Sequence, residues 1–326
     1  MTPPDPTRAA EPARRVSGVV FVGAGLASMG PWSSAPIALA VGIALGLAGL
    51  AVFPGPSRRL SRLLIQGCVV LLGFRMDLGA LAESARDGFG LAVATIGGAM
   101  ALGLALGRGL GVDRKVGTLV SSGTAICGGS AIAAVGSAIG ASAPAMAVAT
   151  GCVFVLNAAG LYALPLIGHA LEMSPRDFGV WAGVAIHDVS SVVGAASHYN
   201  GSDATALDTA NVVKLTRVVW ILPLTLGAAW LSRRGAGAVR GPAIPWFIGP
   251  FLLASVARTF VPGVDQAAGA VRLVATSGFQ GALFLIGSAL TVAALRKVGW
   301  RAMAQAVVLW VVLAGSTLAA VRAGWA

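Results

Sequence analysis

A glycine-rich stretch inside a long apolar segment is the strongest sign of chemistry in this sequence. Residues 123–134 read Gly-Thr-Ala-Ile-Cys-Gly-Gly-Ser-Ala-Ile-Ala-Ala. Each glycine inside a helix costs about 0.5–1 kcal/mol relative to alanine, so we expect a broken helix here. Unpaired backbone at membrane depth survives only where protein buries it or where it lines a wet cavity. The stretch therefore predicts a substrate path, although a flexible packing hinge would explain the same glycines.

The second half of this broken helix would begin with an anion site. Its first backbone amides have no partner within the helix, and they lie at the positive end of the helix dipole. Oxygen atoms of an anion are suitable acceptors for such amides. The predicted substrate-binding residues in this stretch are Thr124, Cys127, Gly128, Gly129 and Ser130.

Two basic residues, Lys214 and Arg217, lie in a later apolar segment at residues 210–231. Their spacing places them on one face of a helix. Arginine offers a planar fork of donors to two oxygens of a sulfate, sulfonate or carboxylate, while lysine acts as a point charge. A single carboxylate cannot neutralise both cations, so the pair also predicts an anion. The alternative is snorkelling, in which both side chains reach lipid headgroups.

Asp188 is the only carboxylate inside the predicted apolar segments, and His187 precedes it. An uncompensated ionisable residue in a membrane helix costs at least about 2.5–3.5 kcal/mol, which indicates a function. We expect Asp188, with His187 and Asn157, to act in gating or proton coupling. The alternative is structural, with Asp188 paired to a basic residue and His187 bonded to a carbonyl. Asn157 and Gln280 are weaker candidates because interhelical hydrogen bonds commonly use such residues.

The composition requires membrane helices to position these residues. Of 326 residues, 56% are hydrophobic and only 11% are charged, with a mean hydropathy of +0.84, whereas about 25% charged residues is usual in soluble domains. The alternating strands of a membrane barrel are absent, and a membrane helix needs roughly 20 apolar residues. We therefore predict an all-α polytopic membrane protein with about eleven helices, at residues 16–29, 35–53, 63–74, 88–106, 116–140, 143–167, 178–196, 210–231, 243–257, 267–295 and 304–321.

The basic residues predict the orientation of these helices. With a cytoplasmic N-terminus, 16 of the 23 Lys and Arg residues fall in inside segments, four in outside segments and three within spans. This bias favours a cytoplasmic N-terminus and an outside C-terminus. It also excludes nucleic-acid binding, because the charge is divided among short loops. The first helix is either an uncleaved anchor, which we favour, or a cleaved signal, and residues 1–15 are expected to form a disordered cytoplasmic tail.

The spans also suggest an internal repeat. After an extra N-terminal helix at residues 16–34, ten spans divide into repeat 1 at 35–168 and repeat 2 at 169–326, in opposite orientations. The fourth member of each half, at 116–140 and 267–295, is long and contains polar, glycine-rich residues. In the second half these residues surround Gln280, which makes it a further candidate for substrate binding. Corresponding breaks are typical of an inverted-repeat transporter, although glycines also serve simple helix packing.

The sequence argues against an enzyme. Paired carboxylates, zinc-ligand spacing and a Ser/His/Asp arrangement are all absent, so we expect neither a cofactor nor a metal. The three cysteines, at positions 68, 127 and 152, lie in apolar stretches without disulfide or metal-ligand spacing, and we expect no redox role for them.

Three motifs resemble the YeiH-type family of bacterial inner-membrane proteins, which are named sulfate exporters. They are the stretch at 123–134, Trp-Ala-Gly-Val-Ala-Ile-His-Asp at 181–188 and Val-Lys-Leu-Thr-Arg-Val at 213–218. The resemblance covers residues 35–321. It implies a bacterial inner-membrane protein with two inverted five-helix repeats and crossed broken helices, distantly similar to bile acid–sodium symporters and sodium–proton antiporters.

These observations predict a secondary transporter that exports a small anion, sulfate or a sulfonate-like oxyanion, by alternating access. Its expected partners are the anion and membrane lipid, with H⁺ or Na⁺ as the coupling ion. A sodium-coupled organic-anion symporter and an anion channel or sensory membrane module are the alternatives. The sequence leaves open which anion is carried, which ion is coupled and whether the protein forms a homodimer.

Overall fold

The computed structural model describes residues 6–74, 78–79, 82, 86, 89–197, 199, 204–232 and 248–324, and its regular elements there are helices. A short 3₁₀ helix at Val264–Ala267 separates α12 from α13. In chain order the helices are α1 (Pro6–Ala27), α2 (Ala35–Leu47), α3 (Pro54–Gly73), α4 (Phe89–Gly109), α5 (Arg114–Ala125), α6 (Gly129–Ala138), α7 (Ala143–Ala170), α8 (Pro175–Ala185), α9 (Val189–Ala196), α10 (Thr205–Val219), α11 (Ile221–Ser232), α12 (Ile248–Phe260), α13 (Ala268–Ser288), α14 (Val292–Lys297) and α15 (Trp300–Arg322).

Several of these helices have the length and hydropathy of membrane spans. Five described segments are long and apolar enough to cross a bilayer, and shorter apolar helices accompany them. The chain is therefore a helical, multi-pass membrane protein. The division into eleven spans and two repeats, and the orientation of the termini, stay predictions. The loop that contains Arg233, Arg234 and Arg240 lies outside the described residues. The five long segments are Phe89–Gly109, Ala143–Ala170, Thr205–Ala228, Gly269–Ser288 and Trp300–Arg322.

The N-terminal helix is longer than the sequence indicates. Helix α1 begins at Pro6, so residues 6–15, which we expected in a disordered tail, are helical. Proline suits the first position of a helix, because its missing N–H is not needed there. Further along α1, Phe21 packs against Phe284 of α13 with ring centroids 5.2 Å apart.

Helix α7 packs against the short helices at the centre of the molecule. It is the longest described helix, at 28 residues, and the helices that it contacts include the short α5, α6, α8 and α9. Ser142 caps its first turn by accepting a hydrogen bond from the Ala145 amide. Val153 and Asn157, in the middle of α7, are both buried. Helix α7 therefore holds two pairs of short helices together.

Each of these pairs is a helix interrupted near its middle. The first break, Ile126–Gly128, separates α5 from α6 where the glycines predict it. The second break, Ile186–Asp188, separates α8 from α9. We expected an unbroken span at 178–196, so this expectation is wrong. The physical reason is that Asp188 acts as the N-cap of α9, with its backbone in an extended conformation.

The interruption expected at residues 277–281 is absent, because α13 continues through them to Ser288. A Cβ atom at Gly278 would meet the Cys68 sulfur, and one at Gly281 would lie 3.0 Å from Met29. These glycines therefore permit close packing rather than a break. Within the predicted segment the chain leaves the helix only at residues 289–291, before α14.

Gly287 offers a test of the crossing between α2 and α13. A Cβ atom added there would lie 2.5 Å from the Leu39 carbonyl oxygen, so the two backbones would have to separate. We expect Gly287→Ala to destabilise the protein by about 1–3 kcal/mol, as overpacking does. Gly98→Ala on α4 is the control, because a Cβ there meets nothing within 4 Å. Thermal unfolding in detergent measures both, and equal melting temperatures would contradict this view of the crossing.

Candidate functional site

The two breaks touch each other at the centre of the protein. A Cβ atom on Gly128 would lie 3.4 Å from the His187 Cβ and 2.9 Å from a methyl carbon of Val153. Gly128 has φ of 65°, a backbone conformation that other residues rarely adopt. The contact thus joins the first break, the second break and α7 at one point.

Lys214 and Arg217 stabilise the end of α5 at the first break. The Arg217 guanidinium donates to the Ala125 carbonyl oxygen, and Lys214 Nζ donates to the Ile126 carbonyl oxygen at 3.3 Å. Arg217 also donates to Thr95 Oγ1 at 2.6 Å, a partner that the sequence did not reveal. The last carbonyls of a helix need donors and favour cations. The snorkelling alternative is wrong, because the exposed fraction is 0% for Lys214 and 1% for Arg217.

The first turn of α6 has no comparable partner. Gly128 is its N-cap and has no side chain that accepts from the first amides. Cys127 Sγ lies 2.8 Å from Ser130 Oγ across this turn. Gly129 is partly exposed and Ser130 is exposed, although the residues before them on α5 are buried. The Cys127 thiol also accepts from the Ala131 amide, so a thiol rather than a carboxylate lies at the positive end of α6, next to the exposed Ser130.

Side chains of the second break and of α7 pair the backbone amides at this break. The Asp188 carboxylate accepts from the Ser190 amide at 3.0 Å and from the Ser190 hydroxyl. Asn157 Oδ1 accepts from the backbone amides of His187 at 3.0 Å and Asp188 at 3.1 Å. These contacts give Asn157 a structural position on α7 that supports the second break. The Asp-x-Ser pattern is the sequence signal for this cap, and Ser190 is the residue that we missed.

The carbonyl end of α8 is also paired. Trp310 Nε1, on α15, donates to the Ala185 carbonyl oxygen at 2.9 Å. Trp181, on α8 itself, donates to the Ala314 carbonyl oxygen at 2.9 Å. Two indole groups therefore fix α8 against α15, so that the second break is held from both sides.

Several buried polar atoms beside the breaks have no hydrogen-bond partner among the described residues. They include Thr124 Oγ1, both ring nitrogens of His187 and both amide atoms of Asn211. Asn211 precedes Lys214 by three residues, so both lie on one face of α10. The sequence carried a signal for it, a polar amide at helical spacing from the basic pair, but we did not predict it as a site residue. Such atoms in a native protein require an explanation.

Charge at the breaks is unbalanced. Lys214 Nζ bonds the Ile126 carbonyl oxygen of the first break, and α10, which carries it, packs against α8 and α9 on either side of the second break. Lys214 and Arg217 are two cations, and Asp188 is the carboxylate beside them in the described structure. The arrangement thus favours a negatively charged guest over a positive one.

The remaining predicted residues contribute less to this centre. Gln280, on α13, donates from Nε2 to the Ser33 carbonyl oxygen at 3.1 Å, which links α13 to the turn before α2. The break that made Gln280 a candidate is absent, so the argument for it no longer holds. All three cysteines are free and buried. Within the described ranges, no cluster of three His, Cys, Asp or Glu residues is suited to a metal ion.

Adjacent glycines provide a test of the strained contact at the first break. Gly128→Ala adds a Cβ in the left-handed region and against Val153, whereas a Cβ at Gly129 meets nothing within 4 Å. We expect Gly128→Ala to cost about 1–3 kcal/mol of stability and Gly129→Ala to have little effect. Thermal unfolding of the two purified variants measures the difference. An equal loss in both would contradict the assigned role of Gly128.

Comparison with known proteins identifies the family of this chain. Residues 18–306 match the family model described as "Conserved hypothetical protein 698". A "UPF0324 membrane protein" of Bacteroides thetaiotaomicron is 40% identical, over 90% of this chain and 88% of its own. One of Geobacter sulfurreducens is 40% identical, over 90% and 93%, and one of Shewanella oneidensis is 38% identical, over 92% and 93%. No solved structure matches. The chain therefore belongs to the Conserved hypothetical protein 698 family, whose relatives here are bacterial UPF0324 membrane proteins.

Proposed function

We propose that this protein is a secondary transporter that carries a small anion, sulfate or a sulfonate-like oxyanion, across the inner membrane in the export direction. The observation that carries the proposal is the difference between the two breaks. Asp188 occupies the positive end of α9 with a carboxylate, whereas at the positive end of α6 the N-cap is Gly128 and the side chain that accepts from a first-turn amide is the thiol of Cys127. An anion from solution would occupy at α6 the position that Asp188 occupies at α9.

The charges and the accessible surface support the same substrate. The two buried cations, Lys214 and Arg217, lie within one helical turn of each other on α10, and each bonds a carbonyl at the first break. Lys214 Nζ carries three donors, so its bond to Ile126 leaves others for a ligand. Ser130 is exposed beside this centre and would provide the entry. The anion would therefore bind near residues 128–130, with Lys214 neutralising its charge.

Half-helices that meet at their breaks also suit alternating access. Each half-helix can move as a unit, because the break rather than a continuous helix connects it to its partner. Gly128 and His187 are in contact. Movement of a half-helix at one break would therefore displace the backbone at the other break. An anion at this crossing would be exposed to one side of the membrane at a time.

Gly129→Asp tests the anion site directly. A carboxylate fixed at the start of α6 would compete with the substrate, as Asp188 does at α9, and open space around Gly129 accommodates it. We expect the variant to lose uptake and counterflow of labelled sulfate in proteoliposomes. Gly129→Asn is the matched neutral control and should retain both. Uptake by Gly129→Asp equal to that of Gly129→Asn would refute the site, and flux without counterflow would indicate a channel.

Asp188→Asn tests proton coupling. Asparagine caps a helix about as well as aspartate, so α9 should remain folded while the group loses its ability to exchange a proton. We expect transport by the variant to become independent of pH, because protonation of Asp188 would free the basic pair for substrate. Transport is measured in proteoliposomes across a pH series. A pH dependence identical to that of the parent would overturn the coupling scheme without affecting the anion site.

A further inference from the structure

We infer that the substrate is a singly charged oxyanion that also carries a hydrogen-bond donor, and that Asn211 receives this donor between the two breaks. This inference rests on the proposed function and narrows its substrate class. A hydroxyalkanesulfonate is the chemical type that fits. Sulfate, which is doubly charged and accepts without donating, fits less well.

The amide of Asn211 is the first argument. Asn211 is 1% exposed, and neither its Nδ2 nor its Oδ1 has a partner in the described part of the chain. A buried polar group left unpaired costs about 1–3 kcal/mol. Nδ2 can donate to an oxyanion, but Oδ1 needs a donor, which a fully deprotonated anion lacks. A ligand that both accepts and donates would satisfy the whole amide.

The order of contacts along α10 puts Asn211 at the breaks. Arg217 reaches the Ala125 carbonyl oxygen, and Lys214, three residues earlier, reaches that of Ile126. A lower residue number on α10 therefore corresponds to a higher residue number along the first break. Asn211, one turn before Lys214 on α10 and next to it on the helix surface, continues this series towards the start of α6. Helix α10 also packs against α8 and α9, the two helices that flank the second break.

Two further unpartnered groups share this location. Thr124 directly precedes Ala125 and has an unpartnered buried hydroxyl. His187, whose ring nitrogens are both unpartnered, contacts the first break at Gly128. A hydroxyl and an imidazole can each donate or accept. The centre between the breaks therefore presents acceptors as well as donors, which a site for a bare oxyanion would not need.

The charge balance selects a single negative charge. While Asp188 is ionised, Lys214 and Arg217 leave the centre one positive charge in excess, which a monoanion would neutralise, whereas protonation of Asp188 would raise the excess to two. A dianion would leave an uncompensated negative charge in a buried place, which is costly. Asp208 does not change this count, because it is partly exposed and lies six residues from Lys214, about 9 Å along the helix axis.

Binding of three probes to the purified full-length protein in lipid nanodiscs tests this inference. The probes are isethionate, which is a monoanion with a hydroxyl, ethanesulfonate, which lacks only that hydroxyl, and sulfate. We expect isethionate to bind about tenfold more tightly than ethanesulfonate, the effect of one well-paired buried hydrogen bond. Both sulfonates should bind more tightly than sulfate. Isothermal titration calorimetry gives the three dissociation constants.

Two variants and a control assign the preference to named residues. Asn211→Leu keeps the size of the side chain and should remove the advantage of isethionate over ethanesulfonate. Asp188→Asn raises the net charge of the centre and should shift the preference towards sulfate. Ser255→Ala serves as the control, since Ser255 is buried on α12, where it bonds the Gly73 carbonyl oxygen of α3, and all three affinities should stay at the parent values.

The possible failures are distinguishable. If the parent binds sulfate as tightly as isethionate, or ethanesulfonate as tightly as isethionate, the inference is wrong while the anion site stands. The same conclusion follows if Asn211→Leu folds and keeps the isethionate advantage. If the parent binds none of the three probes, the proposed function itself fails. The comparison within the parent protein decides the matter even if Asn211→Leu does not fold.

Discussion

Pairing of backbone groups at two helix breaks is the constraint on which this structure depends. A break at buried depth frees carbonyls on one side and amides on the other, and each unpaired group would cost several kcal/mol in an apolar environment. Lys214 and Arg217 supply donors for the carbonyls of the first break. Asn157 supplies the acceptor for the amides of the second. Lys214, Arg217 and Asn157, all buried, thus lie where the interrupted backbone needs partners.

This constraint also gives the centre its chemical character. The carbonyl end of α5 requires cations, and these remain in the interior as a positive surplus beside Asp188. The amide end of α6 has no carboxylate cap, since its N-cap is Gly128 and the Cys127 thiol is the side chain that accepts from it. The cations that pair the carbonyl end of α5 therefore also provide positive charge for an anion at the amide end of α6. Lys214 and Arg217 serve both stability and the proposed transport, so a variant at either residue would not separate a loss of folding from a loss of transport. Gly129 and Asn211 are better sites for a test.

The outcome of the predictions follows the same physics. Glycines predict the first break because they lower helix stability locally, and Gly128 adopts a conformation that glycine tolerates. They fail at residues 277–281 because Gly278 and Gly281 contact Cys68 and Met29, so packing between helices stabilises a continuous α13. The second break is not predicted from the sequence, because Asp188 reads there as a charged residue within a continuous helix. Its role as an N-cap depends on Asn157, which is distant in the sequence.

Residue types alone predict a helical membrane protein with ionisable residues inside it, because hydropathy and the cost of burying charge depend only on residue type. The sequence also determined the first break, since helix propensity is local. Other features follow from how the helices pack. Packing brings both cations of α10 to the end of α5 and places Asn157 beside a second break. It also buries Asn211 without a partner among the described residues. These facts depend on contacts between residues from about 30 to 120 positions apart, and no local pattern determines which of many apolar helices pack together.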